Sequence, residues 1–242
     1  MSGMNDHLVL VVGKSGAGKS ACLRNLKNPE GVMYLNCEAG KRLPFRTKFK
    51  WNKTVTNPLQ VAEAFAFAEK QEGCEVIIID TLTFLFDMYI SQFVKNAADG
   101  RAAWGDFAEY FRNMMQVHVA KSTKKVIFLA HVADKYNESD MVMESSVPVP
   151  GSLKNNGIEA YFSTVIAAKK IKLDDLPFKP ALLKITPQEE ALGFKHVFQT
   201  MVTKETTHSR LRGPMGMWDD NEVFIDNDIQ MVLDRFDEYY AA

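Results

Sequence analysis

A chain of 242 residues, 46% of them hydrophobic, can bury a large core, and its 29 basic residues against 30 acidic ones leave a net charge of −1. That balance excludes bulk electrostatic attraction as a way of coating nucleic acid, so any polyanion has to be met by a local patch. Three cysteines, Cys22, Cys37 and Cys74, lack the paired spacing of a zinc or disulfide framework, and neither an 18-residue apolar span nor a basic-then-apolar leader occurs, so the expectation is a cytoplasmic protein with reduced, structural thiols.

Leu8 to Val12 is an apolar run that reads as a buried strand, and it leads into Gly-Lys-Ser-Gly-Ala-Gly-Lys-Ser at residues 13–20, a complete G-x-x-x-x-G-K-[ST] phosphate loop. Glycines at 13, 16 and 18 permit the tight turn that aims backbone N–H groups at phosphate oxygens, with a helix expected over Ser20 to Lys27. ATP is expected to lie along Gly13, Lys14, Ser15, Gly16, Ala17, Gly18, Lys19, Ser20 and Ala21. Lys19 then reaches the β and γ phosphates, and Ser20 ligates Mg²⁺.

Asn28-Pro29-Glu30-Gly31 breaks the chain, and Val32 to Asn36 reads as a second strand ending at Cys37-Glu38-Ala39-Gly40. Asn57 is expected to cap a helix over 58–72, with Val61, Ala64, Phe65 and Ala68 inward. Val76 to Ile79 is a β-branched strand closed by Asp80. Helices are expected over Phe84–Lys95 and Arg101–Lys121, the second burying Trp104, Phe107, Phe111, Met114 and His118. Val126 to Ala130 is a further apolar strand, ended by His131. Residues 132–157 are polar and without a period, a long loop of the functional or disordered kind. Residues 164–172, 181–186 and 195–203 look like strands, and Asp226 or Asn227 caps a last helix that turns Ile229, Val232, Leu233 and Phe236 inward. Alternating strands and helices imply an α/β fold with a mainly parallel central sheet flanked by helices, extended by antiparallel strands in the C-terminal third. No linker divides the chain, so residues 1–242 are expected to form a single domain, a core over about 7–205 and a strand-and-helix extension over 206–242.

Phosphoryl transfer requires charge neutralisation and a positioned water. Asp80, at a strand C-terminus, fits the second Mg²⁺-directed group. Thr81 follows it, so an acidic pair is missing and the general base has to come from elsewhere. Glu38, at the end of the second strand, is the candidate base, and His131, at the end of a later strand, is the candidate that feels the γ-phosphate or its attacking water.

The order of phosphate loop, strand ending in Cys-Glu-Ala-Gly, strand ending in Asp-Thr-Leu-Thr, Trp-Gly on a helix, then Ile-Phe-Leu-Ala-His resembles the RecA-like recombinase core. It looks closest to the small phage ATPases of that superfamily that act in single-strand annealing or recombination mediation. The resemblance covers about residues 7–205 and implies Mg²⁺-dependent ATP hydrolysis in the cytoplasm of a host cell, with catalytic Lys19, Glu38 and His131. It also implies ATP held between neighbouring subunits of a homo-oligomer, with a basic finger in trans, for which Lys204, Arg210 and Arg212 are the candidates. DNA contact by loops at roughly 85–103 and 132–157 is implied as well, although neither is strongly basic or rich in aromatics.

A stronger electrostatic footprint runs from Lys41 to Lys53, with six basic residues, no acid, and Phe45, Phe49 and Trp51 interleaved. Arg46, Lys48, Lys50 and Trp51 are the candidate contacts to single-stranded DNA, cations on phosphates and aromatics on bases. The same alternation fits an edge strand equally well. Three rivals remain: a nucleotide-type small-molecule kinase with Arg210 to Gly213 as a lid, a dimeric positioning ATPase that uses Lys14, and a subunit that binds ATP only for assembly.

Overall fold

The computed structural model describes residues 5–138, 141–155, 157–176 and 180–241. Strand β1, Leu8–Gly13, is buried along its whole length, as its unbroken apolar sequence requires of a strand covered on both faces. Ser20–Asn25 forms a short 3-10 turn in place of the expected longer helix, and Asn28 then accepts a hydrogen bond from the Gly31 N–H to cap a second turn at Pro29–Gly31. Strand β2 is Val32–Asn36, and β3, Trp51–Thr54, pairs with it in parallel at the edge of the sheet.

Helix α1, Gln60–Glu69, starts later than expected because Asn57 accepts from the Leu59 N–H and holds the preceding residues in a turn. Strand β4 is Val76–Asp80, helix α2 is Leu82–Tyr89 with a wider π turn over Ile90–Val94, and helix α3 is Gly100–Asn113 with another over Met114–Val119. Phe107, Phe111 and Met114 are buried, whereas Trp104 and His118 are half-buried. Strand β5 is Lys125–His131.

Residues 132–157, expected as a loop, contain an antiparallel hairpin of β6, Ala133–Asn137, and β7, Val142–Ser146, followed by a 3-10 turn at Gly151–Lys154. Residues 139, 140 and 156 of that stretch lie outside the described ones. Strand β8, Thr164–Lys172, is parallel to β1, because a crossover returns the chain to the same end of the sheet before it starts. Antiparallel pairing begins only with β9, Phe194–Gln199, and continues with β10, Phe224–Asp226. The 181–186 segment forms no strand. It is tied to the neighbouring turn by Ala181 N–H to Asn221 O and by Asp226 N–H to Leu182 O, and its last residue, Thr186, makes a capping box with Glu189 at the start of helix α4, Pro187–Leu192. Helix α5, Ile229–Tyr240, is capped by Asp228, one residue beyond the expected cap, through a bond from the Gln230 N–H.

The eight strands of the main sheet lie in the order β10-β9-β8-β1-β5-β4-β2-β3. Alternate residues of β1 separate two apolar layers: Leu8, Leu10 and Val12 pack with α1, α2 and α3, while Val9 and Val11 pack with α5 and the turn after the phosphate loop. Because β5 is inserted between β1 and β4, the register sets Gly13 beside His131 and Asp80 beside both Asn36 and Leu129. The ends of four sequence-distant strands therefore share one rim.

Candidate functional site

The rim opens into a cleft of about 510 Å³ whose lining includes Ser15, Gly16, Gly18, Lys19, Ser20, Ala21, Glu38, Asp80 and His131. Crevices of this kind form at strand C-termini in open α/β sheets. Gly16 and Gly18 carry φ of +75° and +99°, and a Cβ on Gly18 would meet the Asn227 carboxamide at 3.1 Å, so that position combines a left-handed backbone with a close neighbour.

Lys19 is only 6% exposed. Its ammonium bonds to the carbonyls of Gly13 at 2.9 Å and Lys14 at 3.0 Å and lies 3.2 Å from His131 Nδ1. Burial lowers its pKa to about 8, against the opposing attraction of Asp80 and Glu38. Burial and the Lys19 charge also lower the pKa of His131. With Lys19 donating to Nδ1, the neutral imidazole carries its proton on Nε2 and directs it to Glu38 Oε1 at 3.4 Å.

The Glu38 side chain is 8% exposed. Thr81 Oγ1 lies 3.5 Å from Oε1, and Lys41 donates to Oε2 at 2.8 Å. Burial alone pushes the carboxyl up, but the hydrogen bonds and charges of Lys41 and His131 outweigh it and hold Glu38 below the ordinary carboxylate range. Asp80 shows the opposite balance: burial raises its pKa against the lowering influence of the Tyr34 hydroxyl, which donates to Oδ2 at 2.8 Å, and of Ser20. Asp80 Oδ1 is buried with no hydrogen-bond partner. An orphaned carboxylate oxygen beside a serine hydroxyl fits a hard divalent cation that takes few protein ligands and completes its shell with phosphate and water. Among the described residues no cluster of three His, Cys, Asp or Glu side chains could hold a metal by itself.

The structure thus brings Lys19, Ser20, Glu38, Asp80 and His131 together. It also contributes side chains that the sequence did not assign to this site, namely Tyr34, Lys41 and Asn227, and His196, whose Nε2 lies 3.1 Å from Gly16 O. Only Lys41, three residues after Glu38, had a local signal.

The side chains of Lys14, Lys204, Arg210 and Arg212 lie away from this cleft. Lys14 turns from it and pairs with Asp134 of the hairpin. Arg210 lies 3.4 Å from the buried Glu159, and Arg212, two residues on, is exposed, as is Lys204 with a 91% exposed side chain. Along residues 41–50 the side chains alternate: Lys41, Arg42, Arg46, Lys48 and Lys50 are exposed, while Leu43, Phe45 and Phe49 turn toward the core layer of Tyr34. Phe45 and Phe49 are thus committed to packing and not free to stack on bases, whereas the half-buried Trp51 has Lys50 Nζ 4.7 Å from its ring centroid.

No helix among the described residues is long and apolar enough to cross a membrane. Comparison with curated proteins returns no match. A family model described as an AAA domain matches residues 6–207, most of the chain and all of the strands that build the rim. With its phosphate loop at 13–20, the chain belongs to the AAA-domain family of P-loop ATPases.

Proposed function

We propose that this chain is a Mg²⁺-dependent, RecA-like ATPase that couples hydrolysis to single-stranded DNA in phage-type recombination or replication. The observation that carries the reading is the convergence of Lys19 from the phosphate loop after β1, Glu38 from the turn after β2 and His131 from the end of β5 in one hydrogen-bonded row. A passive nucleotide binder has no use for a buried carboxylate at the end of that row.

In this reading Lys19 leaves the Gly13 and Lys14 carbonyls for the phosphates, which frees His131 Nδ1 to take up a proton and donate it to an oxygen at the γ-phosphate end. Glu38 orients the attacking water and takes its proton at a carboxylate oxygen. Ser20 and Asp80 would hold Mg²⁺, which would supply neutralisation of the triphosphate's charge. Tyr34 fixes the Asp80 carboxylate, leaving Oδ1 for that role.

The exposed cations Arg46, Lys48 and Lys50 support contact with a DNA backbone, with the half-buried Trp51 beside Lys50. Exposed Lys204, whose pair with Glu205 lies in solvent, and exposed Arg212 are the better candidates for a basic finger reaching a neighbouring subunit, since Arg210 is engaged by the buried Glu159. That engagement also weighs against Arg210 as a kinase lid, and the Lys14–Asp134 pair within one chain weighs against a lysine reaching across a dimer. The test is steady-state ATP turnover with and without single-stranded DNA, with nucleoside monophosphates as control acceptors. Phosphate release stimulated by DNA is the expected result, and stoichiometric transfer to a monophosphate would replace this reading with a kinase.

A further inference from the structure

The cationic run and the candidate base are joined by one ion pair. Lys41 is the first residue of the run, and its ammonium donates to Glu38 Oε2 at 2.8 Å. The two partners differ sharply in exposure: the Lys41 side chain is 69% exposed and the Glu38 side chain 8%. The cation can therefore be drawn outward without disturbing the core, while the carboxylate cannot follow it. Glu38 would keep its other neighbours, His131 Nε2 at 3.4 Å and Thr81 Oγ1 at 3.5 Å, with the charges of Lys19 and Asp80 beyond them. An ion pair with a mostly exposed partner is weakly held and screened by salt, so a polyanion competes with it effectively.

Geometry supplies the competitor. Downstream of Lys41, the exposed Arg42, Arg46, Lys48 and Lys50 lie on the outer side of an alternating segment whose apolar members anchor it to the core. Lys41 and Arg42 line the ATP cleft itself, so a chain of phosphates along this strip ends at the candidate base.

We infer that Lys41 is a positioning residue that restrains Glu38 until a single-stranded nucleic acid backbone along residues 41–50 withdraws it. The inference rests on the proposed hydrolytic role of Glu38 and adds its control. The paired carboxylate has one oxygen committed to Lys41 and is a weakened proton acceptor; the released one is free to hold water. DNA-stimulated turnover is then built into a single contact, and no large rearrangement is needed.

The test compares wild type, Lys41→Ala and Lys41→Arg in ATP turnover with and without an unstructured thymidine oligonucleotide. Lys41→Ala is expected to raise the DNA-free kcat by about 3-fold or more and to lose most of the stimulation, with ATP affinity little changed. Lys41→Arg, which keeps the cation, is expected to restore the low DNA-free rate and the stimulation. A DNA-free kcat for Lys41→Ala at or below that of wild type, or stimulation that survives in it, overturns the inference while leaving the ATPase reading intact. Wild-type turnover that ignores the oligonucleotide overturns both the DNA reading and this control, and absence of wild-type hydrolysis removes the ATPase reading itself.

Discussion

Lys19 Nζ lies 3.2 Å from His131 Nδ1, so the phosphate-loop lysine and the residue ending β5 are in direct contact. The contact follows from topology, since β5 is the parallel neighbour of β1 and its register sets His131 beside Gly13. Phosphate that claims Lys19 changes the partner of His131 Nδ1, and His131 Nε2 faces Glu38. His131→Ala is therefore expected to lower kcat by at least about 10-fold while changing ATP affinity little, a split read from steady-state kinetics alongside equilibrium binding. An equal loss in binding alone would make His131 a structural member of the cleft.

Lys19 is expected to give ATP binding a pH signature. Its pKa is lowered to about 8 by burial, and the negative charge of phosphate favours the protonated form, so the complex holds a proton that the free protein sheds above that pH. Affinity should be flat below about pH 8 and fall as pH rises beyond it, by at most about tenfold per unit. Calorimetry in buffers of different ionisation enthalpy would detect proton uptake on binding on the alkaline side, and Lys19→Ala should bind ATP weakly with no uptake from this group.

Asp80 tests the cation. Its Oδ1 is buried without a partner, and Tyr34 holds the other oxygen. Asp80→Asn should erase the difference in ATP affinity between Mg²⁺ and chelator, because an amide offers a neutral, weaker ligand. Tyr34→Phe should retain the Mg²⁺ dependence with reduced turnover, having lost the bond that orients the carboxylate.

The cationic run separates into two chemistries that mutation can resolve. Replacing Arg46, Lys48 and Lys50 by Gln should reduce single-strand affinity and flatten its salt dependence by about 2 in log–log slope, as three phosphate contacts imply. Phe49→Ala should instead destabilise the fold by about 3 kcal/mol, seen as a lower denaturation midpoint, since Phe49 packs on Tyr34 inside the core layer. Loss of DNA affinity from Phe49→Ala at unchanged stability would restore the base-stacking role.

Much of the parallel half was legible because its strands are covered on both faces. β1, β4 and β5 announce themselves as unbroken apolar runs, and each ends in the residue that defines the rim, Gly13, Asp80 or His131. Hairpin β6–β7 gave no period because no residue of either strand is fully buried, which removes the alternation that marks a half-covered strand. The 181–186 run has strand-like composition but finds no ladder partner, and β10, at three residues, is too short to stand out. Phe45 and Phe49 carried an ambiguous pattern that only packing resolves. Lys41 reads from the sequence only as the first cation of the run, because its contact with Glu38 depends on the turn after β2, which folds the chain back so that a residue three positions on meets the carboxylate.

The central claim, that Glu38 activates the water that attacks ATP, is tested most directly by single-turnover hydrolysis in Glu38→Gln. The amide keeps the shape but accepts no proton, so hydrolysis should fall by about 10²-fold or more while ATP affinity stays within about 2-fold of wild type. Hydrolysis by Glu38→Gln at the wild-type rate would contradict the account and remove Glu38 from the chemistry.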